Sequence, residues 1–254
     1  MLALILLPIQ SCRAVILDWT QPSITWAGGT LSKSFDIDPS NAGNDITIAI
    51  VYTGAGQTSG FPINTVTGSS VIGDNDASRL QIRTTGMGGT NPVTNSVTFT
   101  ITFNYAAGVN NASFTLIDVD ATTTGWIDRF SSINATPVTG SPNSVALTAT
   151  NASSAVTTVT GSGTTGMTVV GLTAAGNITN HTGDVTFNTP STPITSLTFN
   201  WNNPGPNLAS QVIGLSNISF TPVPEIGSAI GALSLCGGLI AFARRRKTTD
   251  RTAR

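Results

Sequence analysis

The densest set of chemically capable side chains lies between residues 114 and 129. Asp118 and Asp120 stand two apart at the end of an alternating stretch, so on a strand both side chains share one face. Asp128 returns across the turn that follows. Three carboxylates with nearby carbonyls are a donor set for a hard cation, and calcium is the expected ion. The spacing is not that of an EF-hand loop, whose terminal glutamate is missing. Ordinary turn chemistry, with the aspartates solvated, is the alternative. Asp36, Asp38 and Asn41 make a second, sparser candidate, while residues 74–76 (Asp-Asn-Asp) read as a turn.

Trp126 lies in the same segment, behind Gly125, and Trp201 is flanked by Asn200, Asn202 and Asn203. An exposed indole stacks on a sugar ring and amides hydrogen-bond its hydroxyls, so both are candidate carbohydrate contacts. The competing reading is that each closes a β core with its N–H at the edge.

Catalytic sets are harder to assemble. His181 is the single histidine, in a polar turn, and Glu225 is the single glutamate. No Gly-x-Ser-x-Gly elbow occurs in the body, and a glycosidase would need two facing carboxylates drawn from the aspartates alone. The two cysteines, Cys12 and Cys236, fall in apolar terminal segments, which removes thiolate metal sites and disulfides from the body. Catalysis is therefore not expected.

The elements that must hold these side chains read as strands. Residues 46–52, 97–105 and 197–201 alternate apolar with Thr, Ala or Asn. They predict half-buried antiparallel strands with Ile46/Ile48/Ile50, Val97/Phe99/Ile101/Phe103 and Leu197/Phe199/Trp201 turned inward. Further strands are expected at 15–19, 31–37, 80–84, 114–118, 145–150, 156–160, 168–172, 185–188 and 212–220. Gly- and Asn-rich turns separate them. The predicted body is all-β, an antiparallel β-sandwich with a jelly-roll-like order, over residues 15–221. No fixed-length repeat is present, which places a parallel β-helix second. A chain of 254 residues suffices for one such domain.

Only 9% of the chain is charged, and the charges are unevenly placed. Six of the eleven bases fall in the last eleven residues. Between Val15 and Val223 four bases meet ten aspartates, too few cations for a phosphate-reading surface, so no nucleic-acid partner is expected.

The ends read as addresses. Residues 2–9 are apolar, followed by small or polar residues, with Cys12 and Ala14 at −3 and −1 before Val15. This is the pattern of a signal peptide over residues 1–14. A buried first strand and lipidation at Cys12 are the other readings. Residues 226–243 carry no charge and suffice for one transmembrane helix, and Arg244, Arg245, Arg246 and Lys247 follow at once. Such a basic cluster holds its end of the span, and the tail 248–254, on the cytoplasmic side.

Val223, Pro224 and Glu225 precede that span. The three parts together resemble the PEP-CTERM sorting signal of exported bacterial proteins, over residues 222–247. The family's Pro-Glu-Pro stands here as Pro224-Glu225-Ile226. The resemblance implies processing by an exosortase, transient anchoring in the inner membrane, and a destination at the cell surface or exopolysaccharide matrix of a Gram-negative bacterium. A non-catalytic structural or adhesive protein with extracellular polysaccharide as partner is then expected. A calcium-dependent carbohydrate-binding module using Asp118, Asp120 and Trp126 is the alternative, and a secreted polysaccharide-active hydrolase the third.

Overall fold

The computed structural model describes residues 13–64, 79–88, 95–122, 125–139, 144–174, 181–206 and 209–224. The signal segment 1–12, Glu225, the apolar span 226–243 and Arg244–Arg246 lie outside the described residues. Among the described residues no helix is long and apolar enough to cross a membrane.

The described residues form fifteen strands: β1 (Val15–Leu17), β2 (Ser32–Phe35), β3 (Ile46–Thr53), β4 (Gly56–Gln57), β5 (Arg79–Met87), β6 (Ser96–Phe103), β7 (Val109–Ile117), β8 (Arg129–Pro137), β9 (Thr148–Asn151), β10 (Thr157–Thr160), β11 (Thr168–Gly171), β12 (Val185–Asn188), β13 (Ile194–Asn202), β14 (Ala209–Ser216) and β15 (Ile218–Pro222). All strand pairs are antiparallel.

One leaf runs β2-β3-β6-β13-β8-β11-β10, and the other joins β4, β5, β14 and β7, with β15-β1 and β12-β9 attached to β7. The two leaves are not separate sheets. Ile194 of β13 pairs with Val109 of β7, so a single sheet curls back on itself.

The alternating sets face inward as expected. Ile50, Phe99 and Phe199 lie in one cross-strand row, as do Tyr52, Val97, Trp201 and Phe130. Across the core Phe199 stacks on Phe114 at 5.5 Å, and Phe103 meets Phe220 at 5.0 Å. These ring contacts join the leaves through their apolar faces, where aromatic side chains bury the most area. A one-residue slip would turn each set outward and strand Thr hydroxyls inside, so burial fixes the register.

The outward rows of β3, β6 and β13 are made almost wholly of small polar side chains: Thr47–Thr102–Ser196, Ala49–Thr100–Thr198, Val51–Thr98–Asn200 and Thr53–Ser96–Asn202. No charged residue occurs among these twelve positions.

Two strands differ from expectation. β8 escapes period-2 reading because Ser132 sits at φ 53° and the register against β13 shifts there, three residues of β8 spanning two of β13. Phe130 and Ile133, three apart, thus both point inward. The stretch 212–220, expected as one strand, breaks at Asn217. Its side-chain oxygen accepts the Trp19 backbone N–H, and whereas β14 before it pairs with β5, β15 after it pairs with β1 and β7.

Candidate functional site

Residues 118–122 and 125–129 lie between β7 and β8 and bond to one another. Asp128 N–H donates to the Asp120 carbonyl at 2.9 Å, and Ala121 bridges Ile127. Thr122 and Trp126 close the loop, with Thr122 N–H on the Trp126 carbonyl and Trp126 N–H on Thr122 Oγ1.

Within it the three aspartates do different things. Asp128 is buried at 1% exposure. Its Oδ1 accepts the indole N–H of Trp201 at 2.8 Å, and its Oδ2 accepts the Asp120 N–H at 3.2 Å. Burial, and then the Asp120 charge, raise its pKa well above the ordinary carboxylate range. Asp120 is also buried, and Asp118 takes a left-handed φ of 67° with its N–H directed at Asp184.

Among the described residues no three His, Cys, Asp or Glu side chains are grouped to hold a metal. Asp118, Asp120 and Asp128 share a segment without forming a cation cage. Asp128 braces the Trp201 indole and the Asp120 backbone.

The structure places Trp201 in the core. Its ring is fully buried and stacks on Phe130 at 6.2 Å, with its N–H spent on Asp128. It is a core residue and offers no face to a sugar. Trp19 and Trp26 are likewise buried, packed with Phe35, and their indoles donate to the Ser216 and Thr30 carbonyls.

Trp126 differs. It remains half-exposed, on a loop held from behind. Asn203 accepts the Ile127 N–H at 2.9 Å and the Gly205 N–H at 2.8 Å, and donates to the Met87 carbonyl. Gly205 approaches so closely that a Cβ there would lie 2.7 Å from the Gly125 carbonyl and 3.2 Å from Trp126 Cα. Arg129, beyond the loop, donates through Nε to Asn202 Oδ1 at 2.8 Å. Asn203, read in the sequence only as an amide beside Trp201, is the residue that holds the loop. Its signal was the Asn-Asn-Pro-Gly turn, whose amides bond to backbone as readily as to ligand.

A second close approach lies on the other side. The Gly171 N–H donates to the Asp128 carbonyl at 2.8 Å, and a Cβ on Gly171 would fall on the Asp120 carbonyl. Gly171→Ala should therefore force β11 away from this segment and cost about 1–3 kcal/mol, as overpacking does elsewhere. Urea melts would measure it, and an unchanged midpoint would show that the strand can shift freely.

Asp45, Asp38 and Asp18 also brace loops. Asp45, fully buried, accepts the N–H groups of Ile37 and Asp38 and the amide of Asn41. Asp38 accepts Ser40 and the Tyr105 hydroxyl, and these hydrogen bonds, Ser40's first, hold its pKa low. Ile37, Asp38 and Asn41 thus form a turn built around Asp45. Asp18 accepts Thr20, Gln21 and Asn217. His181, at φ 57° and half-exposed, lies 3.0 Å from Asp184.

No family model matches the chain, and no curated protein does. Among solved structures it is similar to a carbohydrate-binding module described for specific mannan recognition, at 9% identity and a TM-score of 0.32, over 84% of this chain and 99% of the other. It is also similar to a family 11 carbohydrate-binding module from Clostridium thermocellum, in complex with a β-1,3-1,4-mixed-linked tetrasaccharide. There the identity is 11% and the TM-score 0.29, over 85% and 99% of the two chains. The family 11 module of the cellulosomal cellulase Lic26A-Cel5E follows at 10% identity and a TM-score of 0.28, over 85% and 98%. These similarities concern an all-β outline and carry no statement about what this chain binds.

Proposed function

We propose that the chain is an exported, non-catalytic surface or matrix protein, sorted through its PEP-CTERM-like tail, with a structural or adhesive role among extracellular polysaccharide. The observation that carries the non-catalytic part is the use made of its titratable groups. Asp18, Asp38, Asp45 and Asp128 are committed to backbone N–H groups, hydroxyls, amides or an indole that hold loops in place. A general base or nucleophilic carboxylate must instead face a substrate across open space.

The export part rests on the sequence: the apolar leader, Val223-Pro224-Glu225, the uncharged span and Arg244, Arg245 and Arg246. An exosortase-type enzyme is the processing partner, and the inner membrane holds the chain until it acts. Trp126 is the aromatic contact for a sugar ring. Its backbone is tied to Thr122, and that of Ile127 to Asn203, which limits the entropy lost when a ring stacks on it.

Fractionation of the producing bacterium with intact-mass analysis tests the route. The expected species lies at the cell surface or in the matrix and lacks both the leader and residues 244–254. Extracellular material still carrying Arg244–Arg246 would sink the sorting reading, and so would a chain confined to the cytoplasm.

A further inference from the structure

We infer that the outward face of β6 and β13 is a docking surface for a neutral, hydroxyl-rich polysaccharide chain. This rests on the surface-protein reading above and names its partner. The face is centred on three cross-strand pairs, Thr102–Ser196, Thr100–Thr198 and Thr98–Asn200, all half-exposed. Thr98 Oγ1 already donates to Asn200 Oδ1 at 2.9 Å. The hydroxyls of Thr100, Thr102, Ser196 and Thr198 are engaged by no side chain among the described residues. The result is donors and acceptors spaced about 4.8 Å across strands and about 6.6–6.8 Å along them.

Charge selects the occupant. A solvated sheet face ordinarily carries Lys, Glu or Asp, which keep it wet and unpartnered. Here the first charge met along these rows is Arg129, at the rim and already bonded to Asn202. Hydroxyls and amides exchange water for another hydroxyl at little cost, whereas a charge must be desolvated. An acidic polysaccharide meets only Arg129 at the rim of this face, and a body of four bases against ten aspartates between Val15 and Val223. A neutral glycan meets neither penalty.

Shape excludes two other occupants. Neighbouring strands twist by roughly 20–25°, so five strands from β2 to β8 accumulate about 80–100°. A planar crystal face touches only part of such a surface, while a single polymer chain follows it. A second copy of this chain would need an apolar centre, as protein interfaces have. Only Val51, 55% exposed, offers one. Each contact is weak, so affinity comes from many pairs engaged by one polymer.

Affinity electrophoresis of the full chain in native gels tests this, with galactomannan, mixed-linkage β-glucan and dextran as neutral probes and alginate as the acidic one. Retardation is expected in at least one neutral gel and not in alginate. Thr100→Val with Thr198→Val keeps the branched shape that suits a strand and removes two hydroxyls. It should weaken that retardation about tenfold while the thermal melt stays in place. Trp126→Ala, on a separate loop, reports on the proposed aromatic contact independently.

The face proposal is overturned by no retardation in any neutral gel, by equal retardation in alginate, or by neutral binding that survives the Val pair. Loss confined to Trp126→Ala, a concentration-dependent dimer that the Val pair abolishes, and binding to crystalline cellulose alone overturn it equally. None of these outcomes bears on the sorting route, which the fractionation decides by itself.

Discussion

Phe199→Ala should cost about 3–5 kcal/mol of unfolding free energy, the range seen when a buried phenylalanine is truncated. The ring lies at the centre of the core. It stacks on Phe99 at 4.7 Å and Phe114 at 5.5 Å, and meets Phe130 at 6.1 Å. Those partners come from β6, β7 and β8, so the cavity opens in both leaves at once. Fixed strands on either side limit how far the site can collapse. Thr198→Ala, one residue away and facing outward, should cost below about 1 kcal/mol. Paired urea melts make the comparison. Equal losses would mean that both faces of β13 are buried, and the outward face described above would have to be abandoned.

The second large effect belongs to Asp128. Asp128→Ala should cost about 2–5 kcal/mol, because it leaves the Trp201 indole N–H and the Asp120 N–H buried without an acceptor, at roughly 1–3 kcal/mol each. The group also makes stability depend on pH. Its pKa in the folded protein is raised by burial and by Asp120, so between the unfolded carboxylate value near 4 and the folded value the native state binds the extra proton. Stability from this group is therefore full at acid pH and declines as pH rises through the folded pKa. Asp128→Asn keeps an acceptor for Trp201 and cannot ionise, so it should flatten that decline. Denaturant melts from pH 4.5 to 8.5 provide the check. Superimposable pH profiles of the wild-type chain and Asp128→Asn would show that Asp128 does not titrate in this window.

Much of the sheet was legible in the chain itself. The sets at 46–50, 97–103 and 197–201 alternate because adjacent residues of a strand point to opposite faces, a property of the backbone that needs no knowledge of partners. All three sets pair and bury as that rule requires. The break at Asn217 and the bulge at Ser132 were not legible. Each depends on a neighbour distant in sequence: Trp19 for Asn217, and β13 for the register shift in β8.

The candidate site divides the same way. Composition identified the polar segment 114–129 and its tryptophan, since Asp, Gly and Trp so close together are conspicuous whatever they do. What each side chain does was decided by the tertiary structure. Trp201 and Asp128 are 73 residues apart, and only the pairing of β13 with β8 brings the indole N–H onto the carboxylate. That contact places a candidate sugar platform in the core and makes Asp128 its brace. The sequence by itself determined the period-2 faces and their uncharged outer residues, because alternation is local. The tertiary structure decided which polar groups are buried and which reach solvent, because burial depends on strands that meet across the fold.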